Sequence, residues 1–199
     1  MAQACKFSLP VSAIIPAAGN SGRMGTQKTL LSYGNGTNFT SYLVNFFRDY
    51  GCNKTVLIVN EGFNSGVLPA CDITTVVNHQ LEKGRSWSIH LGLKQVPESS
   101  ACFIQNIDNP FLEHNLLDEL RKSVLPDGYA VPVCHGHGGH PILLGENVVD
   151  FLRRNPDVAD FRKALQCFTR IEIPYRDERI LWNINTPDDY KEFSQWDRS

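Results

Sequence analysis

Val11-Ser-Ala-Ile-Ile15 is an apolar run with branched side chains, closed by Pro10 and Pro16, and it predicts a buried strand. Lys54 to Val59, Ile73 to Val77 and Ala101 to Ile107 repeat the pattern. These runs are near-continuously apolar rather than alternating, as expected of parallel strands covered on both faces. Between them, Phe39 to Tyr50, Ser86 to Lys94 and Leu112 to Val124 carry apolar positions at helical spacing. Strand and helix alternate over short connections, which predicts a three-layer α/β/α sandwich around a mostly parallel, Rossmann-like sheet.

The last third is less regular. Tyr129 to Cys134 and Pro141 to Leu144 read as strands flanking a glycine-histidine loop, and Val148 to Arg154 and Phe161 to Cys167 as helices. Ile171 to Pro174 and Arg179 to Ile184 read as late strands. Thr186-Pro-Asp-Asp opens a final helix with an N-cap, proline at the first helical position and acids in the first turn.

Composition narrows the function classes. With 199 residues, and a typical domain of about 150, one domain spanning 1–199 is expected. The 42% hydrophobic content is enough for a packed core. A net charge of −2 argues against a nucleic-acid binder that relies on a broad basic field. No apolar run approaches the roughly 20 residues that span a bilayer, and the N-terminal stretch has no apolar region of secretory length. A cytoplasmic protein without a membrane partner is therefore expected, its oligomeric state open. The six cysteines lack Cys-x-x-Cys spacing and are expected as free thiols.

Candidate chemistry begins at Pro16-Ala-Ala-Gly-Asn-Ser-Gly-Arg-Met-Gly25, directly after the first predicted strand. Ligands of open α/β sheets bind beyond the carboxyl ends of strands. A loop of Ala and Gly leaves backbone N–H groups open to phosphate oxygens. Arg23 adds a fork of donors and Lys28 a mobile point charge. The plainer alternative is a glycine-rich turn with two solvated cations. The dinucleotide fingerprint G-x-G-x-x-G is absent, because the glycines fall at 19, 22 and 25. A Walker A loop is a near miss, with Gln27 where the second glycine belongs. Asp108 closes a predicted strand before Pro110, where a carboxylate suits Mg²⁺ or simply forms a turn. Cys134-His-Gly-His-Gly-Gly-His140 could hold a soft metal, or line a pocket.

Ala17-Ala-Gly-Asn-Ser-Gly-Arg-Met-Gly-Thr-Gln-Lys28 resembles the A-A-G-x-S-x-R-M-G-x-x-K signature of nucleotidyltransferases with the MobA-like fold. Further segments resemble the molybdenum cofactor cytidylyltransferase branch, in the same order. Asn78, Gly84, Ser88, Gly92 and Leu93 match its N…G-x-x-x-S-[LIV]-x-x-G-L segment, Asp108-Asn-Pro110 its D-x-P, and Gly139-His-Pro141 its G-H-P. Asn183-Ile-Asn-Thr-Pro-Asp-Asp-Tyr190 is similar to its D-I-D-T-P-E-D-[LY]. The resemblance runs from residue 11 to about 193. It implies the sheet type of nucleotide-diphospho-sugar transferases and a Mg²⁺-dependent transfer of CMP from CTP. The implied acceptor is phosphorylated, foremost the molybdopterin cofactor, and pyrophosphate is released.

By the same resemblance, Ala17, Ala18 and Gly19 bind base or ribose through backbone groups, and Arg23 holds the β- and γ-phosphates. Lys28 neutralises charge near the α-phosphate. Asn78, Gly84 and Ser88 belong to the nucleotide site, although Ser88 could instead cap a helix. Arg23, Lys28 and Asp108 are the expected catalytic set, and His137 and His140 are expected to face the acceptor. Asp108 is expected to share the metal with Asn183, or with Asn185 two positions on along the same face, unless both asparagines only cap turns. Asn183 and Asn185 stand where cytidylyltransferase relatives usually carry Asp, while guanylyltransferase relatives often show Asn-Ile-Asn-Thr-Pro. Pro16 before Ala-Ala-Gly is shared with the isoprenoid cytidylyltransferase and sugar-nucleotide enzymes. The isoprenoid enzyme's D-x-A-R-P segment is missing, which disfavours that assignment. Use of GTP, a sugar-phosphate acceptor, or a silent nucleotide-binding role are the alternatives.

Overall fold

Strand β1 (Val11–Pro16) lies inside the sheet, paired in parallel with β4 (Lys54–Val59) on one side and β6 (Ala101–Ile104) on the other. The computed structural model describes residues 9–19, 22, 24–34, 36–69, 72–156 and 160–196. A small antiparallel pair, β2 (Ser32–Tyr33) and β3 (Thr37–Asn38), leads into helix α1 (Phe39–Tyr50). Asn38 caps α1 by accepting from Ser41 N, and Gly51 ends it at φ 93°, a left-handed turn that suits glycine. Strand β5 (Thr74–Val77) precedes α2 (Gly84–Leu93), and α3 (His114–Ser123) follows β6. Then come β7 (Gly128–Cys134), β8 (His137–Gly138), β9 (Ile142–Leu144), α4 (Glu146–Arg154), α5 (Phe161–Leu165), β10 (Thr169–Pro174) and α6 (Pro187–Trp196).

The sheet order is β10-β7-β9-β6-β1-β4-β5, with β8 folded onto β7. Only β8 and β9 run antiparallel to their neighbours. The expected mostly parallel sandwich is present. Alternation along β1 sorts its side chains between two cores. Ala13 and Ile15 pack with Phe39, Leu43, Phe47, Leu117 and Phe193 under α1, α3 and α6. Ile14 packs with Ile89, Leu93, Val148 and Leu165 under α2, α4 and α5. Gly92 makes the second contact possible, since a Cβ there would stand 2.7 Å from Ile14 Cγ2. No helix among the described residues is long and apolar enough to cross a membrane.

Three details depart from the sequence reading. β5 is an edge strand whose side chains alternate between half-buried and exposed, so its two faces are not both covered, and Val77 is exposed. β6 stops at Ile104, and the chain from Gln105 onward turns toward the ends of the strands. Arg179 to Ile184 is not a strand. Asp177 caps a short 3₁₀ turn at Glu178–Leu181, and the amide of buried Asn109 donates to the carbonyls of Arg179, Ile180 and Trp182. Those oxygens are the ones a neighbouring strand would have needed. The described cysteines, Cys52, Cys102, Cys134 and Cys167, are free thiols; Cys5 and Cys71 lie outside the described residues.

Candidate active site

A cleft of about 580 Å³ opens beyond the carboxyl ends of the central parallel strands. That volume is in the range of small-molecule sites. Its rim begins where β1 ends. Ala17 N donates to Ile58 O at 2.7 Å, and Asn60 Nδ2 donates to Ala18 O at 3.3 Å, which fixes the loop over the strand ends. Ala17 and Ala18 are buried, whereas Gly19 is exposed and has open space where a side chain would stand. All three line the cleft. Arg23, assigned to the β- and γ-phosphates by resemblance, lies outside the described residues.

Lys28 lies at the head of the first 3₁₀ turn, Lys28–Leu30. Its ammonium donates to Asp108 Oδ2 at 2.9 Å and to Asn185 Oδ1 at 2.7 Å. The three come from separate stretches of chain, and backbone bonds hold them together. Ile184 N donates to Asp108 O at 2.8 Å, while the neighbouring Asn109 is stitched to residues 179–182. Asp189 Oδ2 accepts from both Asn185 N and Thr186 N, and Thr186 Oγ1 accepts from Asp189 N, a reciprocal cap that sets the entry into α6. The turn at Thr186-Pro187 is thus held by Asp189, which leaves the Asn185 side chain for Lys28.

The second wall is built by α2. Asn78, buried after β5, donates to Ser88 Oγ at 3.0 Å and accepts from Gln80 N at 2.8 Å. Ser88 lies inside α2 rather than at its start, so it does not cap the helix. Gly84 opens α2 at φ 71°. Asn78, Gly84 and Ser88 all line the cleft. So does His140, but both its nitrogens already have protein partners. Nε2 lies 2.9 Å from Asn106 Nδ2, and Nδ1 lies 3.4 Å from Ile104 O. Burial, then the Arg85 charge, pushes its pKa down to about 4, against the weaker pull of Ile104 O and Asp108. The ring is therefore neutral at pH 7, with Nδ1–H donating to Ile104 and Nε2 accepting from Asn106. His137 sits exposed on β8 and is not part of the cleft lining.

Several cleft residues carry no signal in the sequence reading. Arg85 follows Gly84 directly and was within reach of that motif. Asn106 and Arg162 belong to no motif at all, and only the fold brings them in.

The cleft can bind anions, since Lys28, Arg85 and Arg162 face a single carboxylate among the described residues. The donors also fit a hard divalent cation. Asp108 Oδ1 is buried and has no hydrogen-bond partner among the described residues. Asn183 Oδ1, exposed on the cleft rim, accepts no hydrogen bond among the described residues, its amide donating to Leu181 O at 3.0 Å. One carboxylate and a carbonyl oxygen, completed by phosphate and water, suit Mg²⁺. No group of three or more His, Cys, Asp or Glu that could hold a metal occurs among the described residues, the Cys134–His140 loop included.

Comparison with known proteins agrees with this architecture. The model of the MobA-like NTP transferase domain matches residues 13–172. The chain is 28% identical to molybdenum cofactor cytidylyltransferase of Escherichia coli K12 over 187 residues, covering 90% of this chain and 93% of that protein. Rv0371c of Mycobacterium tuberculosis H37Rv superposes with a TM-score of 0.80 at 19% identity, covering 94% of this chain and 98% of that one. Its complex with manganese superposes with a TM-score of 0.75 at 16% identity, covering 94% and 98%.

Proposed function

Since the chain belongs to the MobA-like NTP transferase domain family and is a nucleotidyltransferase, we propose that it transfers CMP from CTP to a phosphorylated acceptor, foremost the molybdopterin cofactor. The observation that carries this reading is the Lys28–Asp108–Asn185 cluster at the head of the cleft. In such a transfer an acceptor phosphate oxygen attacks the α-phosphorus. A new P–O bond forms, and the bond to the β-phosphate oxygen breaks with release of pyrophosphate. Two anions must approach each other, so the barrier is chiefly electrostatic. The Lys28 ammonium offsets charge at the α-phosphate, and Arg23 draws on the leaving pyrophosphate. The Ala17–Gly19 backbone orients the nucleoside. Asn78 aligns Ser88 toward the base, and the neutral His140 aligns Asn106.

Mg²⁺ is the metal we assign, held by Asp108 Oδ1 and the Asn183 carbonyl, where it would add positive charge to the phosphate oxygens. Asn185 is the less favoured ligand, because its Oδ1 already accepts from Lys28. The reaction belongs in the cytoplasm, where nucleoside triphosphates are available.

A second reading, transfer of GMP from GTP, is favoured by Asn183-Ile-Asn-Thr-Pro187, where the resembling cytidylyltransferases carry aspartates. Pyrophosphate release from CTP, GTP, UTP and ATP, with Mg²⁺ and molybdopterin cofactor, tests both. CTP as the preferred donor supports the first reading and GTP the second. Silence with all four nucleotides overturns both.

A further inference from the structure

Two cations of the cleft have no part in the chemistry above. Arg85 is the second residue of α2, and Arg162 the second of α5. Phe161 N donates to Ser86 Oγ at 2.9 Å, across 75 positions, and this bond fixes the starts of the two helices side by side. Both residues line the cleft and keep part of their surface open to solvent, although burial lowers the pKa of the Arg85 guanidinium. Among the described residues neither forms an ion pair with a carboxylate. The one acidic side chain of the cleft among the described residues, Asp108, already holds Lys28. Surrounding atoms lower the pKa of Arg85 most, the Asp108 charge raises it, and the Arg162 charge lowers it again. Arginine nevertheless stays charged at neutral pH.

Position separates this pair from the nucleotide's own cations. Lys28 and Asn185 lead into α1 and α6, whose side chains pack in one core of the sheet. Arg85 and Arg162 open α2 and α5, which pack in the other. Asp108 is ion-paired with Lys28 and only partly offsets the repulsion between the two arginines, so a dianion between them would find two charges with no ion-paired carboxylate of their own. Arginine forks match the oxygens of phosphate.

We propose that Arg85 and Arg162 together seat the phosphate monoester of the acceptor, on the α2–α5 side of the cleft and facing the α-phosphate it attacks. The assignment rests on the transferase reading above but concerns a separate subsite, so the two can fail separately. Inorganic phosphate is the probe. Calorimetry follows its binding to protein saturated with α,β-methylene-CTP, for wild type, Arg85→Gln, Arg162→Gln and Arg162→Lys. Phosphate affinity falls about tenfold in each Gln variant and less in Arg162→Lys, while analogue affinity stays unchanged. Equal phosphate affinity in all four proteins overturns the proposal. So does absence of phosphate binding to the saturated wild type, or an analogue affinity that falls in step with phosphate. If wild type fails to bind the analogue, the CTP reading fails. Phosphate titrated into the nucleotide-free proteins then decides for the arginine seat if the Gln variants bind more weakly, and against it if they do not.

Discussion

Lys28 Nζ stands 2.9 Å from Asp108 Oδ2, an ion pair that ties the loop after β1 to the turn after β6 across 80 positions of sequence. Each group thereby shelters the other in a site that is only partly open to solvent, with side-chain exposures of 14% and 22%. A charge held this way is already desolvated and oriented before a phosphate arrives, so little reorganisation is left for the reaction itself.

Removing that ammonium exposes its role. Lys28→Ala lowers kcat by about 100-fold with little change in KM for the nucleotide, because the charge is needed most when the α-phosphorus is attacked. Steady-state pyrophosphate release provides the test. An effect confined to KM would make Lys28 a binding charge only.

Restoring a carboxylate at the two asparagines separates their roles. Asn183→Asp turns a free carbonyl on the rim into a charged oxygen ligand and lowers the Mg²⁺ concentration needed for half-maximal rate by about tenfold. Asn185→Asp tightens the grip on Lys28 and changes the Mg²⁺ requirement less. A Mg²⁺ titration of turnover that is the same for wild type, Asn183→Asp and Asn183→Ala would sink the metal assignment.

Asn78 is almost wholly buried and serves two partners, Ser88 Oγ and Gln80 N. Asn78→Ala leaves both without their bond and costs about 1–3 kcal/mol in urea unfolding. It also raises KM for the nucleotide. Ser88→Ala, which removes only one hydroxyl, costs less stability. An Asn78→Ala protein as stable as wild type would mean the pair is not a structural bond.

His140 makes stability depend on pH. Its pKa is about 4 in the folded chain against 6.5 for an ordinary imidazole, so the unfolded chain binds the extra proton between those values. Stability is fully present above pH 6.5 and is lost as pH falls toward 4. Replacement by Gln removes this contribution, and its melting temperature declines less steeply than that of wild type in that window. Parallel curves from pH 7 to 4 would show that His140 titrates normally.

Gly139 is packed beneath the backbone of the 3₁₀ turn, and a Cβ there would lie 2.6 Å from Ile180 O. Gly139→Ala displaces that segment and destabilises by about 1–3 kcal/mol. Gly22→Ala, with nothing within 4 Å, changes stability by less than about 0.5 kcal/mol. Chemical denaturation of the two variants checks the contrast.

The central sheet was legible because β1, β4 and β6 are buried on both faces and show it as unbroken apolar runs. Helix α1 was legible from the helical spacing of its apolar residues, and Asn38 and Gly51 cap it at the bounds that spacing gave. The segment 179–184 was misread for a reason of the same kind. Its apolar residues look like a strand, but a distant amide, that of Asn109, claims its carbonyls. In the cleft, Lys28 and Asp108 could be named from motifs, whereas Arg162 and Asn106 could not, because no local pattern marks a residue whose neighbours are supplied by chain crossovers.

The reach of Lys28 to Asn185 has a consequence for synthesis. Those residues are 157 positions apart, so at about 5–20 residues per second the ammonium waits on the order of ten seconds or more for its amide partner to be translated. The parallel core around β1 can condense during that interval, but the binding site cannot close. A nascent chain that has not yet released residue 185 would hold most of the sheet's strands and an unfinished cleft, so ligand binding would report emergence of the Asn185 segment rather than formation of the core.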